Sequence, residues 1–342
     1  MNSWVAGAET IALIELDYPT LSVFSPSYYT SIKPNITVPV SSNSIIAGWA
    51  AIRPSGATQL AEVTGGASGD PASLGVGWIL AALTEGDLSQ KLEYLSNIMQ
   101  EVSFQLNTVP RTSDGAISMR GPGETVSLWA DFVSQVPPTL AFYGAVMNRP
   151  SVLLEAYTQC SLYRKYLRDP TSGLWQHIMF GTDADSGFWG TGNAWAASGM
   201  ARVLATMQNG PTASNYTSQI ADLASWTNEI LTAAFSQINT SSNLLPNYYD
   251  STSTFDDASS SALLAATAFR MATLGYVSQS STTFSTAEKI REAVNAAIDE
   301  TTGWIASVVD PLNWDEQGYE SPEAEAFAMM VNAAWRDYWA TQ

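Results

Sequence analysis

An aspartate set among aromatic residues occurs in the segment Leu128-Trp129-Ala130-Asp131-Phe132, after a Gly- and Pro-rich loop and before an apolar helical stretch. A carboxyl group there has two readings. It can favour the positive end of the helix, worth about 0.3–1 kcal/mol, or it can exchange a proton with a bound molecule. Position alone leaves the two even. Asp70 precedes Pro71 at a helix start, which is the pattern of a routine N-cap. His177, the only histidine, lies in the loop Gly173-Leu174-Trp175-Gln176-His177. It can pack by a hydrogen bond or meet a substrate hydroxyl or carboxylate. The segment Trp189-Gly190-Thr191-Gly192-Asn193-Ala194-Trp195 carries two tryptophans across a glycine-rich turn into a helix. Core packing accounts for Trp195, whereas Trp189, on the loop side, is the better platform for a sugar ring. Carboxylates and aromatic rings together are the vocabulary of sugar chemistry.

Other chemistries lack their residues. The chain contains no G-x-S-x-G elbow, no Walker A loop and no G-x-G-x-x-G fingerprint. A single histidine excludes His-rich metal sites, and the single Cys160 excludes an internal disulfide or a thiolate zinc cluster. Cys160 reads as a small buried hydrophobe within a helix. No cofactor and no metal are expected.

Of 342 residues, 46% are hydrophobic and 13% charged, enough apolar content for a large core. Acidic residues outnumber basic ones 32 to 14, and a formal charge of −18 repels nucleic acid and anionic lipid. No apolar run approaches the roughly 20 residues that cross a bilayer. Neither nucleic acid nor membrane is therefore an expected partner, and the protein is expected to act as a monomer. No signal peptide is visible; N-glycosylation sequons at Asn35, Asn215 and Asn239 are no more than chance supplies and only permit secretion, while low lysine, abundant Ser/Thr and many aromatics suggest a secreted protein.

The elements that must position these residues are helices. Helical periodicity predicts ten: Trp4 to Leu16, Ala72 to Leu83, Leu88 to Leu106, Phe132 to Tyr143, Val152 to Leu167, Asn193 to Met207, Ser214 to Phe235, Ala258 to Leu274, Thr286 to Asp299 and Glu323 to Trp339. Asp70, Asp87 and Ser321 supply start signals, while Gly86, Gly144, Gly210 and Gly275 supply stops. Short connections alternate with long ones rich in Gly, Trp and Asp. That alternation predicts an all-α ring of helical hairpins, an (α/α)6 barrel formed as one domain over residues 1–342, with its long loops gathered at one end. Two further short helices are expected between Pro19 and Gly69.

In this order the segments resemble the unsaturated rhamnogalacturonyl hydrolases, glycoside hydrolase family 105, related to the unsaturated glucuronyl hydrolases of family 88. Four stretches carry the likeness: Pro110-Arg111-Thr112 before Gly115-Ala116-Ile117, Leu128 to Asp131 with Pro137 and Ala141 to Gly144, Gly173 to His177, and Trp189 to Trp195. Asp257 to Ala262, opening a helix, is a further echo. The resemblance covers Asp70 to the C-terminus. It implies a six-hairpin barrel acting on oligosaccharides left by a polysaccharide lyase, with Asp131 as acid/base and Asp70 helping to bind the unsaturated sugar. It also implies that Trp129, Trp189, Trp195, Thr191, Arg120, Met119 and His177 line the substrate site. Thr191 stands where many relatives have Arg, and Met119 near where they often have His. Arg120, Arg111 and His177 are then the candidate partners for a uronate carboxylate. Two other readings stand beside this one: a hydrolase of saturated glycosides using Asp70 and Asp131, and a carbohydrate-binding protein that has lost catalysis.

Overall fold

The computed structural model describes residues 2–32, 40–62 and 66–342, so Met1 and the Asn35 sequon lie outside the described residues. Thirteen α-helices are described. They are α1 (Ser3–Asp17), α2 (Tyr28–Ile32), α3 (Asn43–Ile52), α4 (Gly75–Thr84), α5 (Leu88–Asn107), α6 (Phe132–Gln135), α7 (Pro137–Val146), α8 (Pro150–Leu167), α9 (Gly190–Gln208), α10 (Thr217–Phe235), α11 (Ala258–Thr273), α12 (Thr282–Ala296) and α13 (Pro322–Ala340). A 3-10 helix, Asp70–Leu74, leads into α4. The expected short helices of the Pro19–Gly69 stretch are α2 and α3.

The helices form an (α/α)6 barrel. Six lie in an inner ring in the order α1, α4, α7, α9, α11, α13, and α13 packs back against α1 to close it. Outside them, α3, α5, α8, α10 and α12 each pack on the inner helix next to them in sequence. Composition explains the division. All ten residues of α7 are buried, as are Gly190 to Met207 of α9 and Ala258 to Ala272 of α11. These helices are rich in Ala, Gly, Ser and Thr, which let neighbours crowd in from every side. The outer α5 instead buries only Tyr94, Asn97, Ile98, Glu101, Val102 and Gln105, a stripe at helical spacing.

Charge also closes the ring. Glu15 on α1 receives Arg202 of α9 at 2.5 Å and Arg270 of α11 at 2.9 Å, and Arg270 reaches Asp337 of α13 at 2.7 Å. Paired in this way, the buried charges tie four inner helices together.

Some sequence expectations change. The stretch read as one helix from Phe132 to Tyr143 breaks at Val136, because Pro137 and Pro138 remove two backbone donors. Gly144 is not a stop signal but lies inside α7. A Cβ there would meet the backbone nitrogen of Leu153 at 2.5 Å, so its role is the close approach of α8. Gly275, at φ +90°, does end α11 in the left-handed conformation glycine favours. Cys160 is fully buried and unbonded to another cysteine. No described helix is long and apolar enough to cross a membrane.

Candidate active site

The inner helices α1, α9 and α13, together with the 3-10 helix and α6, open at their N-terminal ends onto one cavity of about 380 Å³. Asp70, Met119, Arg120, Trp129, Asp131, His177, Trp189 and Trp195 all line it, although up to 125 residues of chain separate them. Short backbone pairings bring them together. Strands β1 (Leu128–Trp129) and β2 (Ile178–Met179) pair antiparallel, and Ala130 N–H donates to the His177 carbonyl at 2.9 Å. This ladder fixes Asp131 beside His177. Asn193 performs the second join: its side chain accepts from Trp175 N–H and donates to the carbonyls of Trp175 and Trp189. The loop before His177 is thereby fastened to the start of α9. A third join runs from Ser68 N–H to the Met119 carbonyl, which sets Asp70 against the Met119-Arg120 segment.

Asp131 precedes α6 but makes no capping hydrogen bond. Its side chain is 15% exposed, and Oδ2 stands 3.6 Å from His177 Nε2. Both atoms are buried and lack a hydrogen-bond partner. Asp257 shows what capping looks like here: it accepts from Ser259 and Ser260 N–H at the start of α11. Asp70 likewise caps nothing; it is the first residue of the 3-10 helix, and Gln135 hydrogen-bonds its carboxyl. The N-cap reading of Asp70 is therefore corrected.

Two further residues expected at the substrate lie elsewhere. Thr191 is completely buried behind the cavity wall, where its hydroxyl donates to Asp257 at 3.3 Å. The rise of α9 from Gly190 carries that side chain toward α11. Arg111 is bound to Glu155 at 2.8 Å and to the carbonyls of Leu106 and Gly115, away from the cavity. Arg120 stays at the cavity, 4.7 Å over the Trp129 ring and paired with Asp183 at 2.5 Å.

Four residues went unread in the sequence. Trp314, on strand β3 (Asn313–Gly318), completes an aromatic box with Trp129 and Trp189; the three ring centroids lie 5.1, 5.6 and 4.4 Å from His177 respectively. Glu323, in the first turn of α13, lines the cavity at 3% exposure and accepts from Trp4 Nε1 at 3.1 Å. Asp185 and Tyr248 stand behind His177. Only Glu323 left a trace, as an acid following Ser321-Pro322, and that pattern reads equally as an ordinary helix start.

The cavity favours the protonated form of its acids. Burial raises Asp131 despite the opposing pull of His177. Burial, helped by the Asp131 charge, lifts Asp70 to about 7 and Glu323 to about 8. Away from the cavity, burial also takes Glu101 to about 7. A carboxyl raised on folding holds its proton more tightly in the folded chain, so its stabilising effect is full below the unfolded value. That effect is then lost as pH climbs through the folded value. Stability should therefore fall from about pH 4.5 to pH 8, each group contributing at most about 1.4 kcal/mol per pH unit. Carboxyls lowered on folding, such as Glu15 and Asp185, are ionised in both states across that window and do not reverse the slope. Urea midpoints at pH 5 and pH 8 check this. Glu323→Gln should flatten the decline, and a wild-type midpoint that rises toward pH 8 would refute it.

The signature of Glycosyl Hydrolase Family 88 matches residues 73–316. The chain belongs to this family. It is a glycoside hydrolase, and its substrate is an oligosaccharide. Solved structures share the fold of this family 88 chain. A possible family 105 member from Salmonella enterica serovar Paratyphi A is 20% identical, with a TM-score of 0.74 over 98% of this chain and 83% of that one. A family 105 glycoside hydrolase from C. acetobutylicum is 14% identical, with a TM-score of 0.71 over 98% and 94%. The unsaturated glucuronyl hydrolase of Bacillus sp. GL1, responsible for glycosaminoglycan degradation, is 13% identical, with a TM-score of 0.61 over 96% and 94%. No curated protein matches the sequence significantly.

Proposed function

We propose that this family 88 hydrolase removes a terminal 4,5-unsaturated uronic acid from lyase-generated fragments of the rhamnogalacturonan or pectin type. One observation carries the reading: the Asp131 carboxyl is buried, caps no helix, and presents an unpartnered Oδ2 beside His177 in an aromatic-lined cavity. Burial in that setting favours the protonated form, which is the form that can donate.

The C4–C5 double bond of such a sugar is an enol ether. Asp131 donates a proton to C4, leaving positive charge shared by C5 and the ring oxygen. Water adds at C5, with the new Asp131 carboxylate taking its proton. The resulting hemiketal opens, and the hemiacetal left at C1 expels the next sugar. Asp70 binds the ring, and the tryptophans supply flat apolar faces. For the uronate carboxylate the cavity offers Arg120 on one wall and the positive ends of α1, α9 and α13. Rhamnogalacturonan as the source follows from the likeness of the motifs around Asp131 and Trp189.

The conjugated double bond absorbs in the ultraviolet, so turnover bleaches it. Incubation with unsaturated rhamnogalacturonan and glucuronan disaccharides should lower the absorbance, fastest with the former. Absorbance that persists with every unsaturated substrate, while saturated glycosides are cleaved, would overturn the proposal.

A further inference from the structure

Behind His177 lies a second layer of polar groups. His177 Nδ1 is 3.1 Å from Asp185 Oδ2, and the same oxygen accepts from the Tyr248 hydroxyl at 2.6 Å. The other oxygen, Oδ1, accepts from Gly187 N–H at 2.9 Å. Two backbone bonds hold the intervening loop: Ile178 N–H donates to the Asp185 carbonyl and His177 N–H to the Gly187 carbonyl. The carboxylate is thus clamped at a fixed point behind the imidazole. Burial works against its charge, but the hydrogen bonds from His177, Tyr248 and Gly187 draw Asp185 down to about 2. An ionised carboxylate only accepts, so Nδ1 must carry hydrogen. Nε2 is then the atom turned to Asp131, and its neighbour Oδ2 has no other partner.

We propose that Asp185, supported by Tyr248, is a positioning residue for the proton donor: it fixes the His177 ring with hydrogen on Nδ1, so that Nε2 is held free to exchange hydrogen with Asp131 Oδ2. Asp185 touches no substrate and acts only through the ring. Such a carboxylate–imidazole pair fixes both tautomer and orientation, as it does behind other catalytic imidazoles.

Other charges face the same groups. Asp70 and Glu323 lie close enough to feel the Asp131 charge, as does the Tyr163 hydroxyl, and Arg120 acts on Asp70. Asp250 and Asp315 face Tyr248. All of these remain in place in the two variants that test the pair. Asp185→Asn puts an amide behind the ring that can donate as well as accept, so hydrogen on Nδ1 is no longer required. Tyr248→Phe removes one of the bonds that hold Asp185 Oδ2 in place and should loosen the ring less.

Because His177 is the only histidine, nitrogen-15 labelling of histidine gives one pair of ring signals without assignment work. In the wild type those signals should report hydrogen on Nδ1, and in Asp185→Asn that preference should be lost. A neutral wild-type ring with hydrogen on Nε2 alone would overturn the proposal. This readout needs no substrate, so it stands even if the proposed reaction fails. The second readout rests on that reaction. With an unsaturated rhamnogalacturonan disaccharide, kcat should fall at least about tenfold in Asp185→Asn with KM little changed, and by less in Tyr248→Phe. An unchanged kcat in both variants, or a loss confined to KM, with the wild type active, would mean that the pair is merely structural.

Discussion

Asp131→Asn should abolish bleaching of unsaturated disaccharides while leaving the fold intact. Losing a general acid typically removes about 10²–10⁴-fold in rate, and in the proposed mechanism the same group also serves as base toward water, so a loss of at least about 10³-fold in kcat is expected. The amide matches the carboxyl in shape and cannot donate a proton to carbon. Since Asp131 caps no helix, no stabilising bond is lost. The buried acid is raised, which means that its ionised form is unfavourable in the folded chain. The melting temperature at pH 7 should therefore be unchanged or slightly higher. Absorbance decay and thermal melts on the same preparation check both halves. A variant keeping more than about a tenth of wild-type kcat would remove Asp131 from the role of donor.

Gly199→Ala should be the most damaging single methyl group in the barrel. A Cβ on Gly199 would collide with the carbonyl oxygen of Val133 and lie 2.5 Å from its carbonyl carbon and 2.8 Å from Ser134 Cα. These are backbone atoms of α6, and no side chain can swing away. Helix α9 must retreat or α6 must shift, in a core packed about as densely as a crystal. A destabilisation of about 3 kcal/mol or more is expected, beyond the usual cost of overpacking. Val133 is the second residue after Asp131, so any surviving folded protein should also show a displaced donor and reduced kcat. Urea denaturation measures the first effect. A midpoint within experimental error of wild type would show that the two helices are not in backbone contact.

Gly199 also marks where reading the sequence stops. Inside a helical pattern it looks like any other tolerated glycine, because its reason is a neighbour 66 positions away in the chain. Two helices were legible from their caps: the outer α5 from Asp87, whose carboxylate does cap Gln90 N–H, and the inner α13 from Ser321, which does cap Ala324 N–H. Periodicity and caps are local, and both survive folding. Helix α9 begins at Gly190 rather than Asn193, because Asn193 spends its side chain binding Trp175 and Trp189 instead of capping. Helix α12 begins at Thr282, capped by Ser281, inside a Ser/Thr run with no apolar rhythm to announce it.

The site divides along the same line. Asp131, Asp70, His177 and the tryptophans sit in local aromatic and glycine contexts that suggest sugar chemistry. Thr191 shares the most suggestive segment, yet its buried hydroxyl is spent on Asp257 rather than offered to the cavity. Asp185, Tyr248, Trp314 and Glu323 have no such context. They matter only because the ring of helices brings four separate loops and helix starts to one mouth.

Under the proposed function the enzyme attacks the C4–C5 double bond rather than the glycosidic bond. A thioglycoside analogue of the unsaturated disaccharide separates the two, since sulfur replaces oxygen only at the bond a conventional hydrolase must break. Hydration at C4 and C5 leaves that bond untouched in the proton-transfer step. The sulfur-linked and oxygen-linked compounds should therefore lose ultraviolet absorbance at comparable rates, and Asp131→Asn should bleach neither. An inert thioglycoside alongside a rapidly cleaved oxygen glycoside would mean instead that the glycosidic bond is the one attacked.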